Sequence, residues 1–106
     1  MAWVYLIVAG LFEIGWPFGL KMAQSVEGRQ IVGLAIAVVS MALSGYLLFL
    51  AQRDIPMGTA YAVWTGIGAA GTFVLGIFLY NDPAGTLRIF SVLLIIAGVV
   101  GLKLAH

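Results

Sequence analysis

Long uncharged runs, separated by short polar segments, are the main pattern along this chain. Positions 31–51 and 55–81 contain no Asp, Glu, Lys or Arg. Each run reaches the roughly 20 apolar residues that a membrane-spanning helix needs and is about twice as long as a barrel strand. The chain shows no alternation of polar and apolar positions, the pattern that would favour membrane strands. The pattern therefore predicts an all-α membrane protein.

Two less regular runs complete the prediction. Residues 1–20 carry a single charge, Glu13, before Lys21 ends the run. The last run, between Arg88 and Lys103, is short for a hydrocarbon core of about 30 Å, and snorkelling of these two side chains makes up the difference. We predict one four-helix transmembrane domain over residues 1–106. Its spans are 3–22, 30–51, 56–80 and 86–104.

Composition excludes several classes of function. Of the 106 residues, 63% are apolar, 8% are charged and none is cysteine. Without cysteine the chain has no disulfide framework, no thiol catalysis and no Cys-based zinc site. A net charge of +1 without a basic run leaves no electrostatic footprint for nucleic acid. Function is therefore expected inside the membrane. The last residue, His106, is expected to be part of a solvated tail and not a ligand.

Basic residues are almost evenly divided between the two sides of the predicted bundle. Arg53 and Lys103 lie on the side that carries both termini, and Lys21, Arg29 and Arg88 lie on the other. The Lys/Arg bias that fixes membrane orientation is therefore nearly absent. We hypothesise that the chain inserts both ways round. Two copies would then form an antiparallel homodimer and supply the inverted repeat that transporters use.

Glu13 is the residue most at odds with its surroundings. It lies about 15 Å along the helix from Trp3, near the middle of the hydrocarbon core. A carboxylate at that depth must face protein or a water-filled cavity. Lys21, the nearest cation on the same helix, is about 12 Å away along the axis. Either the carboxyl stays protonated and hydrogen-bonds another helix, or a proton or a cationic substrate neutralises it.

Trp16 and Pro17 follow Glu13 by about one helical turn. The indole face of Trp16 can meet a delocalised cation, although packing or lipid contact would also explain the residue. Pro17 has no backbone N–H to donate to the carbonyl of Glu13, which favours a bend at this point.

The third span carries aromatic residues beside small ones. Tyr61, Trp64 and Gly68 lie within a narrow arc of the helix. We predict that Tyr61 donates its hydroxyl to Glu13 and that Trp64 walls a pocket. Gly66 and Gly68 weaken the helix just past its middle. There they either allow a bend that switches access between the two sides or serve tight packing alone.

Polar and small residues in the other two spans are further candidates. Ser44 in the second span is predicted to contact Glu13 or the substrate, unless it bonds a carbonyl of its own helix. Ser91, Gly98 and Gly101 form a small-residue seam in the last span, which suits association with another helix.

These features together resemble a known family. Residues 10–16, around Glu13, and residues 56–69 closely resemble the small multidrug resistance transporters, and the resemblance covers essentially the whole chain. The stretch Gly-Thr-Ala-Tyr-Ala-x-Trp-Thr-Gly-Ile-Gly-Ala, with Trp16 three residues after the glutamate, is similar to the guanidinium-exporter branch. Pro17 departs from the alanine expected there, which bears on the shape of the pocket and the substrate range.

The resemblance implies an antiparallel, dual-topology homodimer in the cell inner (plasma) membrane. Such a dimer is a transporter, not an enzyme, and it exchanges guanidinium and related small substituted cations for protons without a cofactor. Glu13 of both subunits would bind substrate and protons. Gly66 and Gly68 match a gating kink, and Ser91 and Gly98 match a dimer contact. The positions that would line the substrate pocket are Trp16, Ser44, Tyr61 and Trp64.

The mechanism that fits these residues is competition between protons and substrate for the carboxylate of Glu13. The planar N–H fork of guanidinium suits bidentate pairing with a carboxylate, so each carboxylate would hold either protons or substrate. One alternative is a broader exporter of quaternary ammonium and multidrug cations from the same family. Another is a small dual-topology ion channel, against which a midplane carboxylate argues. The third is a structural subunit of a heterodimer, which would carry a stronger charge bias.

Overall fold

In a computed structural model, which describes residues 1–105, the chain forms four long helices joined by short loops. Each helix is long and apolar enough to span a membrane, which confirms the predicted all-α membrane fold. The helices begin and end within three residues of the predicted spans. His106, predicted to be a solvated tail, lies outside the described residues. The helices are α1 (Ala2–Ser25), α2 (Gln30–Ala51), α3 (Met57–Tyr80) and α4 (Thr86–Ala105).

The turn between α3 and α4 is fixed by a backbone cap. Asn81 has a positive φ of 55°, a left-handed conformation that asparagine tolerates better than most residues. The amide of Asp82 donates to the carbonyl of Gly76 over 3.1 Å, so the chain turns back onto the last turns of α3. The cap therefore holds Asp82 against the end of α3.

The four helices form a slab. Helix α1 packs against both α2 and α3, and α4 packs against α3. The Cα atoms extend over 45 × 34 × 16 Å. The shortest of these dimensions is less than half of either of the other two. A single chain therefore has two broad exposed faces and little enclosed volume.

Glycines bring α1 and α2 into backbone contact. A Cβ on Gly33 would lie 2.6 Å from the backbone nitrogen of Ala23, and one on Gly19 would lie 2.7 Å from that of Ala37. Neither position leaves room for a side chain. Small residues are what allow membrane helices to approach this closely.

Contacts near the helix ends agree with the predicted up-and-down order. The Nζ of Lys103 lies 4.9 Å from the ring centre of Trp3, so the start of α1 and the end of α4 are neighbours. At the other end of the slab, the Nζ of Lys21 lies 5.7 Å from the ring centre of Tyr80. A small hydrophobic core lies at the end of the slab where α1 begins and α4 ends. Its buried residues are Leu6, Ala51, Ile55, Ala60 and Val63.

Helix α4 is the least covered helix of the chain. None of its described residues is buried. A Cβ on Gly98 or Gly101 would meet nothing within 4 Å. The hydroxyl of Ser91 donates to the carbonyl of Leu87 in the same helix over 2.8 Å. The predicted small-residue seam is thus open in a single chain.

Candidate functional site

Glu13 lies at the contact between α1 and α3. Its side chain is partly buried. Gly68 makes room for it, since a Cβ at that position would lie 3.1 Å from the Cβ and 3.7 Å from the carboxyl carbon of Glu13. A glycine at this point of α3 therefore allows the glutamate to turn toward protein rather than lipid.

An open cleft of about 390 Å³ surrounds the Glu13 side chain. It runs from the contact of α1 with α3 to the turn that leads into α4, and its lining includes two carboxylates and one guanidinium group. The other residues that line it are Trp16, Pro17, Thr65, Gly68, Ala69, Thr72, Phe73, Asp82 and Arg88.

Trp16 is the closest functional neighbour of Glu13 along α1. The two residues are three apart, so they share one face of the helix, and both line the cleft. The indole N–H can only donate, so it complements an acceptor carboxylate. The structure therefore places both residues in one cleft.

A second polar cluster joins α1, α2 and α3. The buried hydroxyl of Ser44 donates to the carbonyl of Ala9 over 2.6 Å. The indole nitrogen of Trp64 donates to the same hydroxyl over 2.7 Å. The rings of Tyr61 and Trp64 are 5.5 Å apart between centres and tilted by 49°. Ser44 thus bonds a carbonyl of a different helix, not of its own.

The two clusters meet on α1. In an α-helix the carbonyl of Ala9 accepts the amide of the residue four positions later, which is Glu13. The hydroxyl of Ser44 therefore bonds the backbone one turn before the carboxylate. Ser44, Tyr61 and Trp64 are not among the residues that line the Glu13 cleft within the described chain. Their roles in a substrate pocket stay predictions.

The glycines predicted as a hinge are packed in this conformation. Helix α3 is continuous from Met57 to Tyr80. A Cβ on Gly66 would run into Val99 of α4 and would lie 3.5 Å from Ile95. Gly68 faces Glu13 as described above. Both glycines therefore serve close approach between helices here, and their role as a gating hinge stays a prediction.

Six residues of the cleft were not singled out as site residues from the sequence, namely Thr65, Ala69, Thr72, Phe73, Asp82 and Arg88. Thr65 and Thr72 are three residues before and four after Gly68, so they share its helix face, and this spacing could have identified them. Phe73 reaches the cleft from α3 itself, and Asp82 and Arg88 reach it through the turn after α3. No local pattern in the sequence marks them.

Four spanning helices around a partly buried carboxylate in an open cleft define a small multi-pass membrane transporter. Residues 1–95 match the family described as Small Multidrug Resistance protein. The chain belongs to this family, which confirms the resemblance noted from the sequence.

Relatives match along nearly the whole chain. A protein named Guanidinium exporter from Yersinia pseudotuberculosis serotype I (strain IP32953) is 50% identical over 105 residues, 99% of each chain. Proteins of the same name from Escherichia coli (strain K12) and Salmonella typhimurium (strain LT2) are 43% and 42% identical, over 99% of this chain and 98% of their own. The chain is therefore a transporter, not an enzyme. It is a multi-pass membrane protein, which in bacteria lies in the inner membrane.

Proposed function

We propose that this protein exports guanidinium and related small substituted cations in exchange for protons. The observation that carries the proposal is Glu13, a carboxylate that is partly buried in a spanning helix and open to a cleft. Relatives named Guanidinium exporter, at 42% to 50% identity, support the substrate class.

The cleft offers the groups that guanidinium needs. A carboxylate at Glu13 accepts two parallel N–H bonds from one edge of the planar ion. The face of the Trp16 indole attracts a cation through the ring quadrupole. The hydroxyl oxygens of Thr65 and Thr72, on the opposite wall, are acceptors for the remaining N–H groups.

Exchange with protons follows from a shared site. Glu13 binds a cation only in its charged form, so protonation and substrate binding exclude each other. Where protons are abundant, they replace the substrate, and where they are scarce, the substrate replaces them. If the site opens to one side at a time, a proton gradient directed inward drives the cation outward.

Guanidinium binding is expected to weaken as the pH falls. The charged carboxylate dominates at high pH, and below its titration point each unit of pH lowers the apparent affinity by about tenfold, because one proton competes with one cation. Tryptophan fluorescence of the purified protein, titrated with guanidinium chloride between pH 5 and pH 9, measures this slope. The Glu13→Gln variant is the control and should bind weakly at every pH. An affinity independent of pH would contradict direct competition.

We further propose that two antiparallel copies form the working transporter. The slab shape leaves each Glu13 cleft open, and a second copy would close it. The open seam of α4, with Ser91 and Gly98, supports a contact between α4 helices. Each copy would then contribute its own Glu13 to the shared space, and the exposed ring of Tyr61 would be available to line it.

Dual topology is expected to show as labelling from both sides of the membrane. The natural chain has no cysteine, so Gln52→Cys places a single thiol in the exposed loop between α2 and α3 without changing the distribution of Lys and Arg. A membrane-impermeant maleimide should label about half of the protein in intact cells, because the two orientations are nearly unbiased. The remainder should react in inverted vesicles. Labelling from one side alone would refute the antiparallel dimer.

A broader range of cations is a second candidate function. The cleft of about 390 Å³ falls within the range of pockets that hold drug-sized molecules. Its walls include the rings of Trp16 and Phe73, which suit aromatic or alkylated cations as well as guanidinium. Quaternary ammonium compounds are therefore the second substrate class to test.

A further inference from the structure

Arg88 places a guanidinium group of the chain itself at the Glu13 cleft. The central carbon of this group lies 5.2 Å from the ring centre of Phe73. Its Nε donates to the backbone carbonyl of Pro83 over 2.8 Å. Both Phe73 and Arg88 line the cleft that contains Glu13. The structure therefore shows how this corner of the protein holds a guanidinium group.

The corner offers three kinds of partner to a guanidinium ion. The ring of Phe73 attracts cations at its face. The carbonyl of Pro83 accepts an N–H bond, and it is aimed at Arg88 in this structure. Asp82 adds a carboxylate to the same cleft, and Arg88 forms no ion pair with it among the described residues, so this carboxylate is available to an arriving ion. Its position is fixed, because its amide is bonded to Gly76 and its carboxyl carbon would lie 3.1 Å from a Cβ on that glycine.

Helix stability does not account for an arginine at position 88. The residue lies in the first turn of α4, where the helix dipole is positive and a cation is unfavourable. No acidic residue lies in that turn to offset it. The side chain is exposed, so holding it on Phe73 also restricts a flexible group. Snorkelling accounts for a basic residue at this end of the span, but it does not explain why the guanidinium group is held on Phe73 and the Pro83 carbonyl.

We infer that Phe73, the Pro83 carbonyl and Asp82 form an outer subsite for a guanidinium ion, which Arg88 occupies until a substrate ion displaces it. The inference rests on the proposed function, since it takes guanidinium as the substrate. An arriving ion carries the same planar N–H groups as Arg88, so it can replace Arg88 on Phe73 and the Pro83 carbonyl and can also pair with Asp82. The outer subsite and Glu13 line one cleft, so an ion released from the first reaches the second without leaving the protein.

Removing the tethered guanidinium is expected to improve the apparent affinity. If Arg88 occupies the subsite most of the time, the Arg88→Gln variant lowers the KM for guanidinium by about three- to tenfold, because the free fraction of the subsite rises toward one. In the Arg88→Gln background, Phe73→Leu removes the ring and raises the KM by about two- to fivefold, whereas in the presence of Arg88 it weakens the competitor as well as the substrate and changes the KM little. Both effects are measured as initial rates of guanidinium uptake into proteoliposomes, with kcat determined in the same experiment.

Two control variants separate the subsite from a general effect of charge. Arg88→Lys keeps the charge but loses the planar fork, so it should also lower the KM. An effect of Arg88→Gln without an effect of Arg88→Lys would overturn the subsite in favour of simple repulsion. Arg53→Gln is the matched control, because the guanidinium of Arg53 lies 5.5 Å from the ring of Phe49, away from the Glu13 cleft. Its KM should stay unchanged.

A binding measurement in the Glu13→Gln background keeps this inference distinct from the proposed function. The Glu13→Gln protein is labelled with nitrogen-15, and the NMR resonance of the Arg88 Nε–H group is assigned by its loss in Arg88→Lys. Millimolar guanidinium chloride should shift this resonance, whereas equimolar sodium chloride should not. An unmoved resonance would overturn the subsite. If the resonance shifts but the wild-type protein does not transport guanidinium, the proposed function is refuted and the subsite is still supported.

Discussion

Replacing Glu13 with Gln is expected to abolish guanidinium–proton exchange while the protein stays folded. The amide keeps the shape of the carboxyl group and its ability to accept a bond from Trp16, but it has no charge to hold a cation and no proton to exchange. Truncating one partner of a desolvated charge pair costs about 2–5 kcal/mol, a factor of about 30 to several thousand in affinity. Guanidinium-driven proton movement in proteoliposomes, followed with an internal pH dye, measures the loss.

The matched control is the other glutamate of the chain. Glu27 lies in the exposed loop between α1 and α2, so Glu27→Gln should exchange guanidinium for protons at the wild-type rate. Circular dichroism and the elution volume in detergent should be the same for both variants. Proton-coupled guanidinium uptake by a well-folded Glu13→Gln protein would refute the assignment of this residue.

Replacing Gly33 with Leu is expected to cause the largest loss of stability of any substitution in α2. A Cβ on this residue would already lie 2.6 Å from the nitrogen of Ala23 and 3.0 Å from its Cα. Backbone atoms cannot rotate away, so α1 and α2 must separate to accept a leucine. Overpacking typically costs about 1–3 kcal/mol, and we expect the upper end or more. The loss of helix content with increasing sodium dodecyl sulfate, followed by circular dichroism, measures this change in stability.

Gly45 provides the comparison within the same helix. A Cβ on Gly45 would meet nothing within 4 Å, so Gly45→Leu adds the same side chain in open space and should unfold at the wild-type detergent concentration. Equal stability of Gly33→Leu and Gly45→Leu would contradict the close contact between α1 and α2.

The helices could be predicted because membrane spans are identified by the absence of charge. Positions 31–51 carry no charge, and α2 occupies Gln30–Ala51. The end of α1 was the least accurate boundary, since the helix continues past Lys21 to Ser25. A lysine that snorkels does not end a helix. Charge thus marks where a span leaves the hydrocarbon core, and the backbone continues beyond that point.

The site could be predicted only where one helix carries it. The proximity of Glu13 and Trp16 follows from their spacing of three residues. The bond from Ser44 to the carbonyl of Ala9 joins residues 35 positions apart, and it depends on the close packing of α1 and α2. The presence of Asp82 and Arg88 in the cleft depends on the turn after α3. Single-sequence patterns carry no information about such distances between elements.

Electrical recordings from the wild-type protein test the central claim most directly. Proteoliposomes on a solid-supported membrane would receive guanidinium chloride, and then a bulky aromatic quaternary ammonium salt, with and without a pH gradient. We predict transient currents with guanidinium that depend on the pH gradient and that disappear in Glu13→Gln. Currents with both compounds would favour the broader exporter. Silence on addition of guanidinium, from protein that is folded and incorporated, would contradict the account.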